Sequence, residues 1–468
     1  MIKKNRNTLR ICSRTASLFC GRTVSLICGR TALFALLLLC TASLKAQTTA
    51  SQELSLDECR ALARKNYPEI KQYDLIRQSE QYTISNAGKS YLPQITLSGQ
   101  ATWQNEVPSF PSALGKMLAQ SGMSMSGMDK KQYKVTLEVN QTIWDGGKSS
   151  ADKKLAQAES IEQQNSADAD LYGIEGRVDD LYFGILLLDK RISQTNLTAK
   201  LLQSNLDKVH SLLKNGVATQ SDADAVEAQL LTVNQQITQL ESARDSYELM
   251  LGVFIGEDVK GRHLLMPDVT NNGDSTNINT LINLVPQRPE QKMFEAKSNS
   301  LAAKEELIKS STRPKFGLFA QGFYGYPGFD YFQSMMNKNP GWNAIAGVKM
   351  VWNFGAYYTR KNDLNKIRTA QQQVNVQNDV FLFNTKLQTT QENGEITRIK
   401  KALYNDDKIV SLRTSVRKAA ESKLRNGIID TNDLLGKITD ESDAVTARSA
   451  REIELVKAIY QLKHLVNR

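Results

Sequence analysis

The feature that most constrains what this chain can fold into is that its sequence is written twice. Asn66-Tyr67-Pro68-Glu69-Ile70-Lys71 recurs as Gln287-Arg288-Pro289-Glu290-Gln291-Lys292, and Pro93 recurs as Pro314, both 221 residues on. Ile143-Trp144-Asp145-Gly146-Gly147 returns as Val351-Trp352-Asn353-Phe354-Gly355 after 208 residues, and Lys214-Asn215-Gly216 with Asp222 returns as Arg425-Asn426-Gly427 with Asp433 after 211. Four markers in one order at nearly one spacing point to a duplicated structural unit. Each unit reads as helix, strand, loop, strand, very long helix, tight turn and long return helix. The first repeat is placed at 47–252, with strands near 92–103 and 133–144 and a helical hairpin near 149–251. The second is placed at 286–468, with strands near 315–326 and 343–353 and a hairpin near 357–467. Asn271 to Asn277 has turn composition without periodicity, so the linker is placed at 253–285.

The strand segments alternate. Ile95, Leu97, Gly99, Ala101 and Trp103 fall on one face, with Thr96, Ser98, Gln100 and Thr102 on the other. Tyr133, Val135, Leu137 and Val139 do the same, as do Ala344, Ala346, Val348, Met350 and Trp352. Periodicity alone also fits a half-buried sheet in a soluble domain. Trp103, Trp144, Trp342 and Trp352 at the strand ends, with no compact domain to cover the strands, favour lipid-facing strands with an aromatic girdle. Four strands cannot close on themselves and open edges are not tolerated in lipid, so copies of the chain would have to pool them.

Between Gly147 and Pro267 there is no proline. Leu171, Ile174, Val178, Leu181, Ile185, Leu188, Ile192, Thr195, Ala199, Leu202, Leu206, Val209 and Leu213 follow a strict alternation of three and four, a coiled-coil seam. Val226, Leu230, Val233, Ile237, Leu240, Arg244, Tyr247 and Leu251 continue it on the return, so the two seams are expected to face each other across a turn at Asn215 to Ser221. In the second unit Glu441, Arg448 and Glu452 fall on the seam, which predicts a hairpin bordering a solvated interior. A helix of such length is far too polar for lipid and must project into water.

Residues 1–46 combine Lys3, Lys4, Arg6, Arg10, Arg14, Arg22 and Arg30 with an apolar run from Ala32 to Leu39 and small residues ending at Ala46. That is the layout of a secretory signal peptide, too short in its apolar part to be an anchor. Its eight basic residues, Lys45 included, and absent acids account for most of the net charge of +10, leaving about +2 and no case for a nucleic-acid partner. Cys12, Cys20, Cys28 and Cys40 leave with it, so Cys59 alone excludes an internal disulfide or a cysteine-built metal site in the mature chain.

Other motifs carry little. Gly147-Lys148-Ser149 ends like a phosphate-binding loop, but Thr142 stands where the earlier glycine is required. His210, His263 and His464 lack ligand spacing, and no nucleophile–base or carboxylate pair stands at telling spacing, so neither an enzyme, a metal nor a cofactor is expected. Met117, Met123, Met125 and Met128 read as a mobile exterior loop, with a soft-metal contact as the lesser alternative.

The junction residues carry a resemblance. Tyr91-Leu92-Pro93-Gln94 looks like a helix-to-strand junction, Gln141 to Gly147 like a strand-to-helix junction, and Lys214-Asn215-Gly216-Val217 and Arg425-Asn426-Gly427-Ile428, with Asp222 and Asp433, like hairpin tips of the TolC family of outer-membrane efflux proteins. With the leader and the duplication, the resemblance covers essentially the whole mature chain. It implies a fold that is mostly α with a membrane β-barrel contribution, in a homotrimer whose shared barrel has twelve strands in outer-membrane lipid and whose hairpins form an α-helical tunnel across the periplasm. It further implies docking onto a periplasmic adaptor and an inner-membrane pump, with no chemistry in the duct itself.

By the same resemblance Pro93, Gly147, Pro314 and Gly355 are helix–strand junctions, and Asn215, Gly216, Asp222, Asn426, Gly427 and Asp433 belong to the periplasmic gate, the two carboxylates forming an anionic ring that favours cations. The residues themselves leave a structural role open: Thr219-Gln220-Ser221-Asp222 reads as a capping box, and Asp433 as a first-turn acid favoured by the helix dipole. Where the best-known relatives latch the gate with a tyrosine and an arginine, Leu424 and Ile429 stand here, and Gly436 replaces a second acid. The rival reading is a periplasmic coiled-coil adaptor without a pore, which would carry one hairpin between two halves of a β domain.

Overall fold

Ser55 starts the first helix by accepting the N–H of Glu58 at 3.3 Å, and α1 runs Leu56–Asn66. Pro68–Lys71 makes one 3-10 turn into α2, Gln72–Lys89. Pro93 cannot continue a helix, and the chain extends into β1, Gln94–Trp103. A short helix α3, Ser112–Gln120, precedes β2, Lys131–Trp144. Then come α4, Lys148–Lys214, and its return α5, Gln220–Ile255. The second unit repeats the order as α6 (Pro289–Ser311, proline in its first turn), β3 (Lys315–Tyr326), α7 (Tyr331–Met336), β4 (Gly341–Val351), α8 (Ala356–Arg425) and α9 (Thr431–Val466). This computed structural model describes residues 53–122, 127–268 and 287–467. The leader read at 1–46, Met123, Met125 and most of the linker read at 253–285 lie outside the described residues.

At ~1.5 Å per residue, the 67 residues of α4 and the 70 of α8 each reach roughly 100 Å. Both return helices have 36 residues, about half as many. The two seams of the first hairpin face each other as expected. Toward the tip, Leu202, Leu206 and Val209 do pack with Val226 and Val233, joined by Ala420, Leu434 and Ile438 of the second hairpin. Farther back, Ile174, Val178, Tyr182 and Ile185 pack on Leu251 and Ile255 at the end of α5 together with Leu56, Cys59 and Ala63 of α1 and Ile453 of α9. A return helix half as long leaves the first part of α4 to other elements, and α2 and α6 lie along α4.

The polar residues on the seam of the second hairpin meet charged partners. Arg417 pairs with Glu441, Arg448 Nε with Asp407 Oδ1 at 2.7 Å, and Arg451 with Asp406, all between α8 and α9. Partners across the hairpin, and not only water, satisfy the charges that break the apolar pattern. On the first hairpin Arg244 is held the same way, by Asp189 of α4 and by Glu248 at 2.9 Å.

The four long strands form one antiparallel sheet in the order β1-β2-β3-β4, so β1 and β4 are its edges. Register puts Leu97 opposite Leu137, Leu137 opposite Gly322 and Gly322 opposite Ala344, with a bulge between Thr142 and Trp144. All four helical connections leave from one end of the sheet and both loops from the other. The segment read as a mobile exterior loop departs from that expectation: Met117 lies on α3, and Met128 is buried.

Candidate functional site

The sheet has two unlike faces, because alternation along each strand is kept in phase by the register. One face carries Ile95 and Leu97, then Val135 and Leu137, then Leu318, then Val348 and Met350. These side chains are open to their surroundings, with Leu97 71% and Val348 72% exposed. The other face carries Ser98, Gln100, Gln132, Lys134, Glu138, Gln321, Asn343 and Lys349. Trp103 and Trp342 stand at the loop end, and Trp144 and Trp352 at the helix end. An exposed apolar band between two aromatic rims fits a lipid-facing surface and is costly in water.

At the helix end the junction residues of the two repeats come together. Asp145 is 7% exposed and organises the start of α4: its Oδ1 accepts from Gly147 N and Tyr91 Oη, each at 2.9 Å, and its Oδ2 from Ser149 N at 2.7 Å and from Ser149 Oγ. Burial acts to raise its pKa, but the bonds from Ser149, Tyr91 and Gly147 outweigh it and hold the carboxyl below its ordinary value. Gln141 Nε2 donates to Tyr91 O, which ties the Pro93 junction to the end of β2. Gly146 and Gly147 have φ of +75° and +84°, and a Cβ on Gly146 would lie 3.0 Å from Arg313 Cβ and 3.3 Å from Pro314 O. Only a glycine allows that approach.

The second junction is built otherwise. Gly355 has φ −59° and sits in the helical region, so it matches Gly147 in position but not in conformation. Trp352 Nε1 donates to Thr312 O at 3.1 Å there, and its ring lies 4.6 Å from that of Phe354. Asp145 was visible in the sequence only as part of a motif, and its role at the junction was not legible.

The tips lie at the far ends of α4 and α8 from the sheet. Asn215 and Asn426 end the outgoing helices, and Gly216 (φ +72°) and Gly427 (φ +69°) turn the chain through the left-handed region. Val217 N then donates to Leu212 O at 2.9 Å and Ile428 N to Lys423 O at 3.0 Å, the same C-terminal closure built twice. Asp222 and Asp433 both occupy the third helical position of the return helices. The capping box forms in full at the first tip: Asp222 N donates to Thr219 Oγ1 at 3.2 Å, while Thr219 N donates to Asp222 Oδ2 at 2.8 Å. Thr219, through its hydroxyl and then its backbone, lowers the Asp222 pKa. At the second tip Asp430 caps by accepting Asp433 N at 2.8 Å. The two tips are neighbours: Asn215 and Leu212 share a cavity of about 580 Å³ with Leu424, Arg425 and Leu434.

Among the described residues no helix is long and apolar enough to cross a membrane, and no cluster of three or more His, Cys, Asp or Glu could hold a metal ion. Cys59 is buried, and burial, together with Glu58, pushes its thiol up to about 12.

Residues 60–257 match the model of the outer membrane efflux protein family. No curated protein matches in sequence. Among solved structures, the outer membrane protein VceC of Vibrio cholerae superposes with a TM-score of 0.63 at 13% identity, over 88% of this chain and 95% of that one. The CmeC outer membrane channel of Campylobacter jejuni does so with 0.61 at 13%, over 88% and 85%. The open MtrE outer membrane channel of Neisseria gonorrhoeae gives 0.58 at 12%, over 88% of each chain. Identities this low establish a shared fold. The chain thus carries, in its first repeat, a stretch that matches the outer membrane efflux protein family, and it shares the long paired helices and antiparallel sheet of those channels.

Proposed function

We propose that three copies of this chain assemble into a passive exit duct through which an energised inner-membrane pump, coupled by a periplasmic adaptor, sends its cargo out of the cell. The observation that carries this reading is the four-stranded sheet with an exposed apolar face, a polar face and two unpaired edges. Because its strands alternate in direction, β4 of one copy meets β1 of the next in the antiparallel sense, so repetition of one contact closes a ring. Three copies give twelve strands, with the polar face inward as a water-filled lumen. The hairpins then continue the lumen for roughly 100 Å, and their tips, at the end away from the sheet, are the surface that meets the adaptor.

In this reading the duct does no chemistry, and the acidic tips set the electrostatics of the inner entrance. Pro93, Gly147, Pro314 and Gly355 mark where barrel becomes tunnel, and Trp103, Trp144, Trp342 and Trp352 border the lipid. A pore-less adaptor fits less well, because two hairpins rise from one sheet whose apolar face none of the described residues covers. Native mass spectrometry of detergent-extracted protein tests the assembly: three chains per particle are expected, and a monomer soluble without detergent contradicts it.

A further inference from the structure

The second loop of the sheet, residues 327–340, folds back over the polar face instead of standing clear of it. Phe323 lies on that face, opposite Thr136 and Asn343, and is 5% exposed. The ring that covers it is Phe329, edge-on at 5.1 Å and 85°. Phe329 N donates to Asn343 Oδ1 at 2.8 Å, and a Cβ on Gly328 would lie 2.9 Å from the same oxygen, so the loop sits tightly on the face. The fold-back is fastened at its base. Tyr326 Oη donates to Ser334 O at 2.9 Å, Gly328 N to Ser334 Oγ at 3.1 Å, and Asp129 N to Tyr326 Oη at 2.8 Å. Lys134, on the same face, places its ammonium 5.8 Å from the Phe323 ring centroid. A cavity of about 340 Å³ remains, lined by Gln100, Gln132, Lys134, Gln321, Phe323 and Phe329 among others.

Resting on the duct reading, which turns this face inward, the geometry points to a fixed filter at the outer mouth. Phe323 and Phe329 narrow the lumen at the loop end, and Lys134 gives the narrowing a preference for anions over cations. Three copies around one axis place three such aromatic pairs and three ammonium groups in a ring, and rings of charged side chains set pore preference. The one carboxylate of the fold-back, Asp330, is engaged in capping α7 through Gln333 N at 2.9 Å. Glu138, the acid of the same strand face, stands four residues nearer the helices.

Access from the outside tests the narrowing without depending on the state of the inner gate. Glu138→Cys places a thiol on the polar face beneath the fold-back, and native Cys59 is buried. In intact cells a small maleimide is expected to label Glu138→Cys and a polymer-linked maleimide is not; adding Phe329→Ser admits both. Equal labelling by the large reagent with and without Phe329→Ser overturns the filter while leaving the duct. No labelling by the small reagent in either background removes the water-filled lumen, and the filter with it. For the charge, Lys134→Gln is expected to move the reversal potential in planar lipid toward the cation side, and an unmoved potential removes Lys134 from the filter.

Discussion

Arg60 of α1 and Asp179 of α4 meet as a two-pronged pair, Nε to Oδ1 at 2.7 Å and Nη2 to Oδ2 at 2.6 Å, with the aspartate side chain only 3% exposed. Arg64 adds a bond to Asp168 at 2.7 Å, which also accepts Tyr73 Oη at 2.6 Å. The short N-terminal helices are thereby fixed to the part of α4 at and beyond the end of its return helix. Removing one partner strands a buried charge, so Arg60→Ala is expected to destabilise the protein by about 3 kcal/mol. An apolar double replacement, Arg60→Met with Asp179→Leu, should cost much less. Denaturant midpoints of the detergent-solubilised variants check both.

The unlike faces of the sheet predict unlike tolerance to charge. Leu97→Arg, near the middle of the apolar face, should cost about 2–4 kcal/mol in lipid, whereas Trp103→Arg at the rim should cost about 0–1 kcal/mol. Ser98→Arg, one residue along but on the other face, should leave folding into liposomes intact. Reversible unfolding from liposomes reads all three, and equal costs at 97 and 98 would contradict a lipid-facing side.

The first tip should be sensitive to acid. Thr219 lowers the Asp222 pKa, so the contribution of the capping box is full above the ordinary carboxylate range and is lost as pH falls through the lowered value. Asp222→Asn should remove less than about 1 kcal/mol of local stability, since the site is exposed and screened, and should abolish that acid dependence. Asp433→Asn should do neither, because Asp430 caps the second tip. Hydrogen exchange of the amides at 218–223 and 429–434 distinguishes them.

Gly184 marks a close approach that no apolar pattern announces. A Cβ there would lie 2.5 and 2.7 Å from ring carbons of Tyr247, where α4 and α5 press together. Gly184→Ala is expected to cost about 1–3 kcal/mol by overpacking. Gly173→Ala, with open space around it, should be near neutral or slightly stabilising through helix propensity. Thermal denaturation of the two variants supplies the contrast.

The elements legible in the sequence were those governed by a period or by a backbone requirement. Alternation in β1 and β2, the three-four seam of α4, and the glycines of the tips each leave a local imprint. What was not legible depended on which elements cover which. The seam from Leu171 to Leu213 is continuous, yet α1 and α9 join α5 on it toward Leu171, and nothing in its period announces those added partners. The partners of Arg244 and Arg448, Asp189 and Asp407, lie 55 and 41 residues away, so no local pattern pairs them. Asp145 and the fold-back of Phe329 onto Phe323 are likewise matters of tertiary placement. At the tips the capping reading of Asp222 stands on geometry, and its part in a gate remains with the proposal.

Edge-to-edge closure is tested most directly by disulfide trapping between β1 and β4. Cysteine pairs scanned on the polar face, Ser98 or Gln100 with Asn343, Ile345 or Gly347, should, on oxidation in the outer membrane, give a ladder on denaturing gels that stops at three chains. Cross-links confined to single chains, ladders running past three, or no cross-link at any pairing would contradict a barrel shared by three copies.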